Sequence, residues 1–152
     1  MEFTHYQFLK QHALEILEGE NQTIPPTQEI NPIILAYIGD VVFSMYVRLR
    51  LLPASKQVRV INDLGSKMVS AVWQCKAMEG LEEKLSEKEQ VIFRRGRNAK
   101  STVPKSASVY EYRMATAFEA LLGYLFLEDE KSRLEEILDQ SFKIITQELI
   151  KK

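Results

Sequence analysis

The stretch AYIGDVVFSMYV, residues 36–47, is an apolar segment with a single carboxylate near its centre. Between Glu29 and Arg48 the only formally charged side chain is that of Asp40. An ionised carboxylate is expensive to bury without a partner, because it loses its hydration. The segment therefore predicts either that Asp40 has a cationic or metallic partner, or that its face of the helix is not buried.

The segment lies in a chain whose hydrophobic pattern is helical nearly throughout. Asn31 and Pro32 suit the N-cap and the first position of its helix, and Pro53 ends that helix. Asn62 is predicted to cap a further helix that runs to Gly80. Three Ser-x-x-Glu sequences predict capping boxes at later helix starts: Ser86/Glu89, Ser108/Glu111 and Ser132/Glu135. The chain has no two-residue hairpin signal, so we predict an all-α fold.

Composition limits both the class of protein and its chemistry. The 152 residues carry a net charge of -1 and are 45% hydrophobic, which fits a soluble globular protein. Cys75 is the only cysteine, so no internal disulfide forms, and with two histidines a zinc site is not expected. The start MEFTHYQFLKQ lacks the pattern of a signal peptide, and we expect a cytoplasmic protein. Residues 1–28 are predicted as an N-terminal helix and linker, and residues 29–152 as one domain.

A second apolar helix repeats the opening pattern. From Met114 to Leu127 the only charged side chain is that of Glu119. Each of the two lone acids has a glycine nearby, Gly39 in the first helix and Gly123 in the second. A glycine inside a helix costs about 1 kcal/mol relative to alanine, and close approach of another helix is one reason to keep it. If the two helices cross at these glycines, the two carboxylates face each other.

Two facing carboxylates repel each other and need a cation between them. Mg²⁺ is a hard ion that prefers oxygen ligands, and proteins often hold it through one or two carboxylates together with a substrate phosphate. The alternative is that each acid pairs with an arginine, for example Arg113 or Arg48. Residue types alone leave both interpretations open.

A cationic segment precedes the second acid. From Gln90 to Tyr110 there are five cations and no acidic residue. Guanidinium groups bind phosphate with two hydrogen bonds, so the segment indicates a phosphate contact, although a solvated surface is the alternative. The candidate phosphate-binding residues are Arg94, Arg95, Arg97, Asn98, Lys100 and Lys105. Lys67 and Arg113 are further candidates; the alternatives are a solvated surface for Lys67 and contact with Glu119 for Arg113. A phosphate-binding segment beside a carboxylate pair is what a metal-dependent nuclease requires.

Three motifs together resemble a known family: LAYIGDVVFSMYVR (35–48), RRGRNAKS (94–101) and YRMATAFEALLGYLFLE (112–128). They are similar to the Mini-ribonuclease III branch of the ribonuclease III family, which lacks a double-stranded RNA-binding domain. The resemblance runs from about Asn31 to Leu127. It implies a ribonuclease III catalytic domain that works as a homodimer and cuts both strands of an RNA duplex. By position, Asp40 and Glu119 would be the catalytic residues that bind magnesium.

The same resemblance implies details that the residues alone do not reach. The cut would leave 5′-phosphate and 3′-hydroxyl ends. The substrate would be the ends of 23S ribosomal RNA precursor, with a large-subunit ribosomal protein as a conceivable partner.

The chain also departs from the larger ribonuclease III enzymes. Those enzymes carry further acids at the positions that Ile33, Ala36 and Thr116 occupy here. The Mini branch resembles this chain in that reduction, and the Thr116 hydroxyl could still hold a metal-bound water. The missing acids keep a second function open, a non-catalytic RNA-binding or ribosome-assembly module on the same fold.

Overall fold

The computed structural model describes residues 4–151, and side chains from residue 7 onward. Its α-helices are α1 (Thr4–Gly19), α2 (Pro32–Leu51), α3 (Val58–Met68), α4 (Ala71–Leu81), α5 (Glu87–Asn98), α6 (Val109–Leu127) and α7 (Lys131–Ile150). Short 3₁₀ turns lie between these helices at Thr27–Glu29, Leu52–Ala54 and Glu82–Lys84. Residues 4–151 contain no β-strand, so the predicted all-α fold is confirmed.

The chain divides into two compact units, Met1–Ile30 and Asn31–Lys152. In the first unit, α1 is followed by an irregular stretch through Pro25 and Pro26 and then by the turn Thr27–Glu29. Proline lacks a backbone N–H and cannot continue a helix, which explains why helical structure is not resumed in this stretch. The remaining helices, α2 to α7, form the second unit.

Helix α6 is the centre of the second unit and packs against α2, α4, α5 and α7. The largest of these contacts is with α2, where the Phe43 ring meets the Phe118 ring edge to face at 4.9 Å. Both rings are fully buried, as are Leu35, Leu121 and Leu122 on the same two helices. Burial of such side chains contributes roughly 1.5–3 kcal/mol each, so this contact anchors the helices that carry both lone acids.

Local capping explains where several helices begin. The Asn31 side chain accepts a hydrogen bond from the backbone N–H of Ile33 at 2.8 Å, with Pro32 at the first helical position. Both reciprocal hydrogen bonds of a capping box are present at the starts of α5 and α6, at Ser86/Glu89 and at Ser108/Glu111. These boundary predictions are confirmed.

Two other helix starts were predicted wrongly. Helix α7 begins at Lys131 with Glu130 as its N-cap, so Ser132 already lies inside the helix and caps nothing. Asn62 lies inside α3, which begins at Val58. The predicted single helix is interrupted at Val69 and Ser70, which separate α3 from α4. Good capping residues also occur within helices, and the sequence pattern does not distinguish the two cases.

Helix α2 and the turn after it, Pro32–Ala54, are long and apolar enough to cross a membrane by length and composition alone. The helix instead buries Val42, Phe43, Tyr46 and Val47 inside the second unit. A helix that is hydrophobic nearly all round is typical of a protein core as well as of a membrane span. The packing on α6 accounts for the apolar character of α2.

Helices α2 and α6 cross in direct backbone contact at their glycines. A Cβ atom on Gly39 would lie 1.7 Å from the backbone oxygen of Glu119, and one on Gly123 would lie 2.0 Å from the backbone oxygen of Leu35. Neither atom can be accommodated, since real Cβ atoms do not approach backbone so closely. The predicted crossing is therefore present, and it fixes Asp40 and Glu119 on facing helices.

Helix α5 also lies close to α6, through Gly96. A Cβ atom at this position would lie 2.8 Å from the Cα atom of Ala117. Gly96 is buried, so this glycine of the cationic segment serves helix packing. The contact brings the C-terminal end of α5, with its arginines, against the helix that carries Glu119.

A buried ion pair fastens α7 to the start of α5. Arg133 donates two hydrogen bonds to the Glu89 carboxylate, both at 2.8 Å, and a third to the backbone oxygen of Lys84 at 2.9 Å. Burial by itself raises the pKa of Glu89, but hydrogen bonds from Arg133 and Ser86 outweigh it, and the net pKa lies below its usual value. The ionised carboxylate is therefore favoured in the folded state.

Glu89→Gln is expected to lower the free energy of unfolding by about 2 kcal/mol at pH 7, because it removes charge-assisted hydrogen bonds. A depressed folded-state pKa gives stability that is present above the unfolded value of about 4.3 and is lost as the pH falls through the folded value. The difference between wild type and variant should therefore shrink below about pH 4. Urea unfolding at pH 7 and in steps down to acidic pH measures both effects.

Glu136→Gln provides the control, because Glu136 pairs with the same arginine from an exposed position. Exposed ion pairs contribute about 0–1 kcal/mol, so this variant should remain close to wild type at every pH. Equal losses for the two variants would show that burial of Glu89 has no part in the effect.

Candidate active site

The two lone acids meet across the glycine crossing. Asp40 lies near the middle of α2 and Glu119 near the middle of α6, and both side chains line one open cleft. Asp40 is exposed, whereas Glu119 is partly buried below it. The pair therefore opens to solvent on one side and is held by packed helices on the other.

The environment of Glu119 opposes its ionisation. Burial, followed by the neighbouring Asp40 carboxyl group, raises the pKa of Glu119 to about 9. A hydrogen bond from Gln74 works weakly against this shift. The neutral form of Glu119 is consequently favoured at neutral pH, and a bound cation would favour its ionised form.

The arginine alternative is not supported by the contacts. Among residues 7–151, neither acid of the pair takes part in an ion pair. Arg48 donates instead to the Ser44 side chain and to its backbone oxygen on its own helix. Arg113 is exposed and lines a different pocket, described below.

An open cleft of about 310 Å³ contains the pair. We call it the acid cleft; its lining residues are Ile33, Ala36, Tyr37, Asp40, Tyr112, Thr116 and Glu119. Ile33, Ala36 and Thr116, all uncharged, line the cleft together with the two acids. The Thr116 hydroxyl donates to the backbone oxygen of Tyr112 at 2.9 Å, which leaves its lone pairs free to accept from a water.

The donor set of the acid cleft fits a hard divalent cation. Two carboxylates supply oxygen ligands and negative charge, and one open side leaves room for waters and a phosphate. Within the described part of the chain, no group of three or more His, Cys, Asp or Glu side chains could hold a metal. Asp40 and Glu119 would thus leave most coordination positions of such a cation to water and substrate.

Gln74 is a residue of this site that sequence reasoning missed. Its amide Nε2 donates to Glu119 Oε2 at 3.4 Å and to the backbone oxygen of Val69 at 3.1 Å, and its side chain is buried. The contact gives the Glu119 carboxyl group a polar partner on its buried side. The available signal was a lone amide in the apolar run AVWQCKAM, residues 71–78.

Three of the five cations of the cationic segment lie near the C-terminal end of α5. Arg94, Arg95, Arg97 and Asn98 occupy its last two turns, so this half of the cationic segment is helical. The Arg97 guanidinium lies 5.3 Å from the centre of the Phe93 ring, and its Nε donates to Asn98 Oδ1 at 3.4 Å. The helix dipole favours cations at a helix C-terminus. This stabilisation accounts for part of the clustering of arginines, independently of any RNA contact.

A second, smaller pocket of about 130 Å³ lies between residues 99–103, which follow α5, and the first two turns of α6. We call it the cation pocket; its lining residues are Ala99, Lys100, Ser101, Val103, Tyr112 and Arg113. It brings Lys100 and Arg113 together. Lys67 and Lys105 are exposed, and neither lines the acid cleft or the cation pocket.

Comparisons with known proteins bear on this arrangement. The Ribonuclease III domain family matches residues 34–130, a range that contains both acids and the whole cationic segment. The Mini-ribonuclease 3 of Thermoanaerobacter sp. is 44% identical over 118 residues, which cover 76% of this chain and 83% of that protein. The chain belongs to the Mini-ribonuclease III family.

Other members of the Mini-ribonuclease III family give the same result. The protein of Clostridium tetani is 41% identical over 79% of this chain and 82% of its own length, and that of Staphylococcus aureus is 36% identical over 84% and 98%. A crystal structure of a protein from Fusobacterium nucleatum superposes with a TM-score of 0.71 at 28% identity, and covers 76% of this chain and 93% of that one. The predicted family, its helical fold and the endoribonuclease class are confirmed.

Proposed function

We propose that this endoribonuclease hydrolyses double-stranded RNA with magnesium bound at Asp40 and Glu119. The observation that carries the proposal is that two carboxyl groups from separate helices line the same open cleft and interact electrostatically. Two neighbouring carboxylates repel each other when both are ionised, and a site that brings them together is suited to a divalent cation.

Individual residues of the acid cleft have separate roles in the proposed hydrolysis. Asp40 and Glu119 would hold the cation, and Gln74 gives the Glu119 carboxyl group a polar partner on its buried side. When bound, such a cation activates a water and offsets the charge that develops on the scissile phosphate. The water oxygen forms a bond to phosphorus as the bond to the 3′ oxygen breaks. The products are a 5′-phosphate and a 3′-hydroxyl, which receives the proton.

Binding of the RNA backbone is proposed for the cationic side chains. Arg94, Arg95 and Arg97 lie on α5, which the Gly96 contact holds against the helix of Glu119. Asn98, Lys100, Lys105 and Arg113 extend this surface, with Lys67 as the most remote candidate. The deep groove of A-form RNA is hard to read, so recognition relies on phosphates, 2′-hydroxyls and duplex shape. Affinity should consequently fall steeply with salt.

A homodimer is proposed through the outer face of α2. This face exposes Ile34, Tyr37, Val41 and Leu49, and Leu52 in the turn after the helix is exposed as well. A groove of about 400 Å³ runs along part of the face. Large apolar side chains gathered on one face mark an interaction surface, and a twofold interface uses the same face of both copies. Asp40 and Val41 border the groove, so the two acid clefts of a dimer would flank the interface, one for each RNA strand.

The biological substrate is proposed from the family resemblance. It would be the 23S ribosomal RNA precursor, matured at its ends in the cytoplasm, with a large-subunit ribosomal protein as an accessory partner. Residues 1–28 are proposed as an appendage to a catalytic domain of residues 29–152. Mapping of 23S rRNA ends in cells that lack the protein tests the substrate: unchanged ends would contradict it.

The reaction itself can be tested with the purified full-length chain. We expect it to cleave a blunt RNA duplex in the presence of magnesium, to stop when a chelator is added in excess, and to resume when magnesium is restored. The products should accept a radioactive phosphate at their 5′ ends only after phosphatase treatment, because hydrolysis leaves 5′-phosphates. The active species should sediment as a dimer.

A matched DNA duplex is the control, since it lacks the 2′-hydroxyls and adopts another helix geometry. Binding of RNA without cleavage at any magnesium concentration would favour the non-catalytic RNA-binding module. The argument for that alternative is that Ile33, Ala36 and Thr116 are uncharged. Sedimentation as a monomer during turnover would contradict the proposed interface.

A further inference from the structure

Tyr112 belongs to both pockets described above. Its side chain lines the acid cleft together with Asp40 and Glu119, and it also lines the cation pocket together with Lys100 and Arg113. The two pockets therefore share one wall. An RNA strand that places one phosphate in the acid cleft passes this wall to reach the cations.

The hydroxyl of Tyr112 is hydrogen-bonded to that of Ser101 at 2.8 Å. Ser101 follows Lys100 in the irregular connection between α5 and α6. Between residues 100 and 107 of the described chain, this is the hydrogen bond that ties a side chain of the connection to a helix. Segments with few backbone hydrogen bonds are the ones that open most readily, so a single tether has a large influence on where Lys100 lies.

The base of the tether is itself held firmly. Tyr112 is in the first turn of α6, where its backbone N–H donates to Ser108 at 2.9 Å within the capped helix start. Its backbone oxygen accepts from the Thr116 hydroxyl, one turn nearer to Glu119. The Tyr112 backbone thus has a fixed position in the helix that carries Glu119, and the hydroxyl links this position to the connection.

We propose that Tyr112 and Ser101 form a positioning pair for the RNA substrate. The pair holds Lys100 in the cation pocket at a fixed place relative to the acid cleft, so that the two pockets bind phosphates of the same RNA strand. This inference rests on the proposed function for its substrate. Neither hydroxyl takes part in bond breaking, so the pair should affect binding of the duplex and leave the chemical step unchanged.

The test compares Tyr112→Phe, Ser101→Ala and the double variant in the full-length protein, with a short RNA duplex as substrate. Loss of one net hydrogen bond changes an equilibrium constant roughly fivefold. Each single variant should raise KM about fivefold and leave kcat within about twofold. Because the hydroxyls act on each other, the double variant should be no worse than either single variant. Ser101→Thr, which keeps the hydroxyl, should restore the wild-type KM.

Tyr110→Phe is the matched control. Tyr110 lies two residues away on α6, but its hydroxyl donates to Glu79 at 2.9 Å and neither pocket includes it. This variant should keep wild-type KM and kcat. A Tyr112→Phe variant that behaves like it would overturn the inference. So would effects that multiply to about 25-fold in the double variant, or a loss confined to kcat.

Binding of the same duplex in chelator separates this inference from the proposed function. The apparent Kd needs no cleavage and should follow the same pattern, with a roughly fivefold increase for Tyr112→Phe, for Ser101→Ala and for the double variant. If the wild type binds but does not cut, the proposed reaction fails while this Kd pattern still supports the pair. If the wild type cuts and all variants bind equally, only the positioning pair is overturned.

Discussion

Asp40→Asn is expected to reduce kcat for duplex RNA by about a thousandfold or more and to leave the fold intact. Cation stabilisation of a phosphoryl transition state contributes several kcal/mol, and each 1.36 kcal/mol corresponds to a factor of ten. Asparagine keeps the shape of the side chain and one oxygen, but it removes a negative charge from a site that has two. Single-turnover kinetics with excess enzyme and saturating magnesium measure the loss in the chemical step.

Thermal unfolding gives Asp40→Asn a second readout that does not depend on RNA. In chelator the variant should be as stable as wild type or slightly more so, because Glu119 then no longer faces a second carboxyl group. Magnesium should raise the Tm of the wild type by preferential binding to the folded state, and this increase should be absent in the variant.

Asp63→Asn is the control for the charge change itself, because Asp63 is exposed on α3, outside the acid cleft. It should retain wild-type kcat and the same response of Tm to magnesium. An Asp40→Asn enzyme with wild-type turnover would remove Asp40 from the site. A normal magnesium response in that variant would move the cation elsewhere.

The second large effect is expected for Gly39→Ala. Its added Cβ would lie 1.7 Å from the backbone oxygen of Glu119, and backbone on both helices prevents a local adjustment. Overpacking of this kind costs typically 1–3 kcal/mol when side chains can move, so a backbone collision should cost about 3 kcal/mol or more. Urea unfolding should show a lower midpoint with an unchanged m value.

Gly39→Ala should also lower activity in the fraction that stays folded, because the helices must separate at the level of the acids. Gly65→Ala is the matched control. A Cβ atom there would meet only the side chains of Leu51 and Arg48, at 3.6 Å and beyond, which is ordinary contact distance. It should gain up to about 1 kcal/mol from helix propensity. A Gly39→Ala protein as stable and active as wild type would contradict the backbone crossing.

The meeting of Asp40 and Glu119 could be anticipated because two rare patterns coincide. Each acid is the sole charge of an apolar helix, and each has a glycine within about one turn. A chain keeps helix-internal glycines for few reasons, and close packing of two helices is the common one. The pairing of these two helices does not depend on the boundaries of the others, so the wrongly predicted helix starts did not affect it.

The partners of the acids were harder to foresee. Gln74 lies on α4, far from both acids in sequence, and only the packing of α4 on α6 brings its amide to Glu119. The boundary between α3 and α4 was missed for a related reason, since Asn62 is equally acceptable as a cap and as an exposed helical residue. Local patterns constrain local structure, and these features depend on tertiary contacts.

The cationic segment shows a third limit. Five cations in sequence indicated one surface, yet Gly96 within it proved to be a packing residue buried against Ala117. Lys100 and Arg113, by contrast, are 13 positions apart in the numbering and line the same pocket. Charge runs predict that a surface exists, whereas the fold decides which members of the run act together.

The backbone contact between α2 and α6 has a consequence for how such an enzyme can change over evolutionary time. At residues 39 and 123 the spacing of the two helices is set by main-chain atoms, not by the volume of any side chain. Aliphatic residues farther along the same two helices can therefore be exchanged for larger or smaller ones without a change in the distance between Asp40 and Glu119. Substitutions that accumulate in the hydrophobic interior are therefore expected to lower the Tm before they lower kcat.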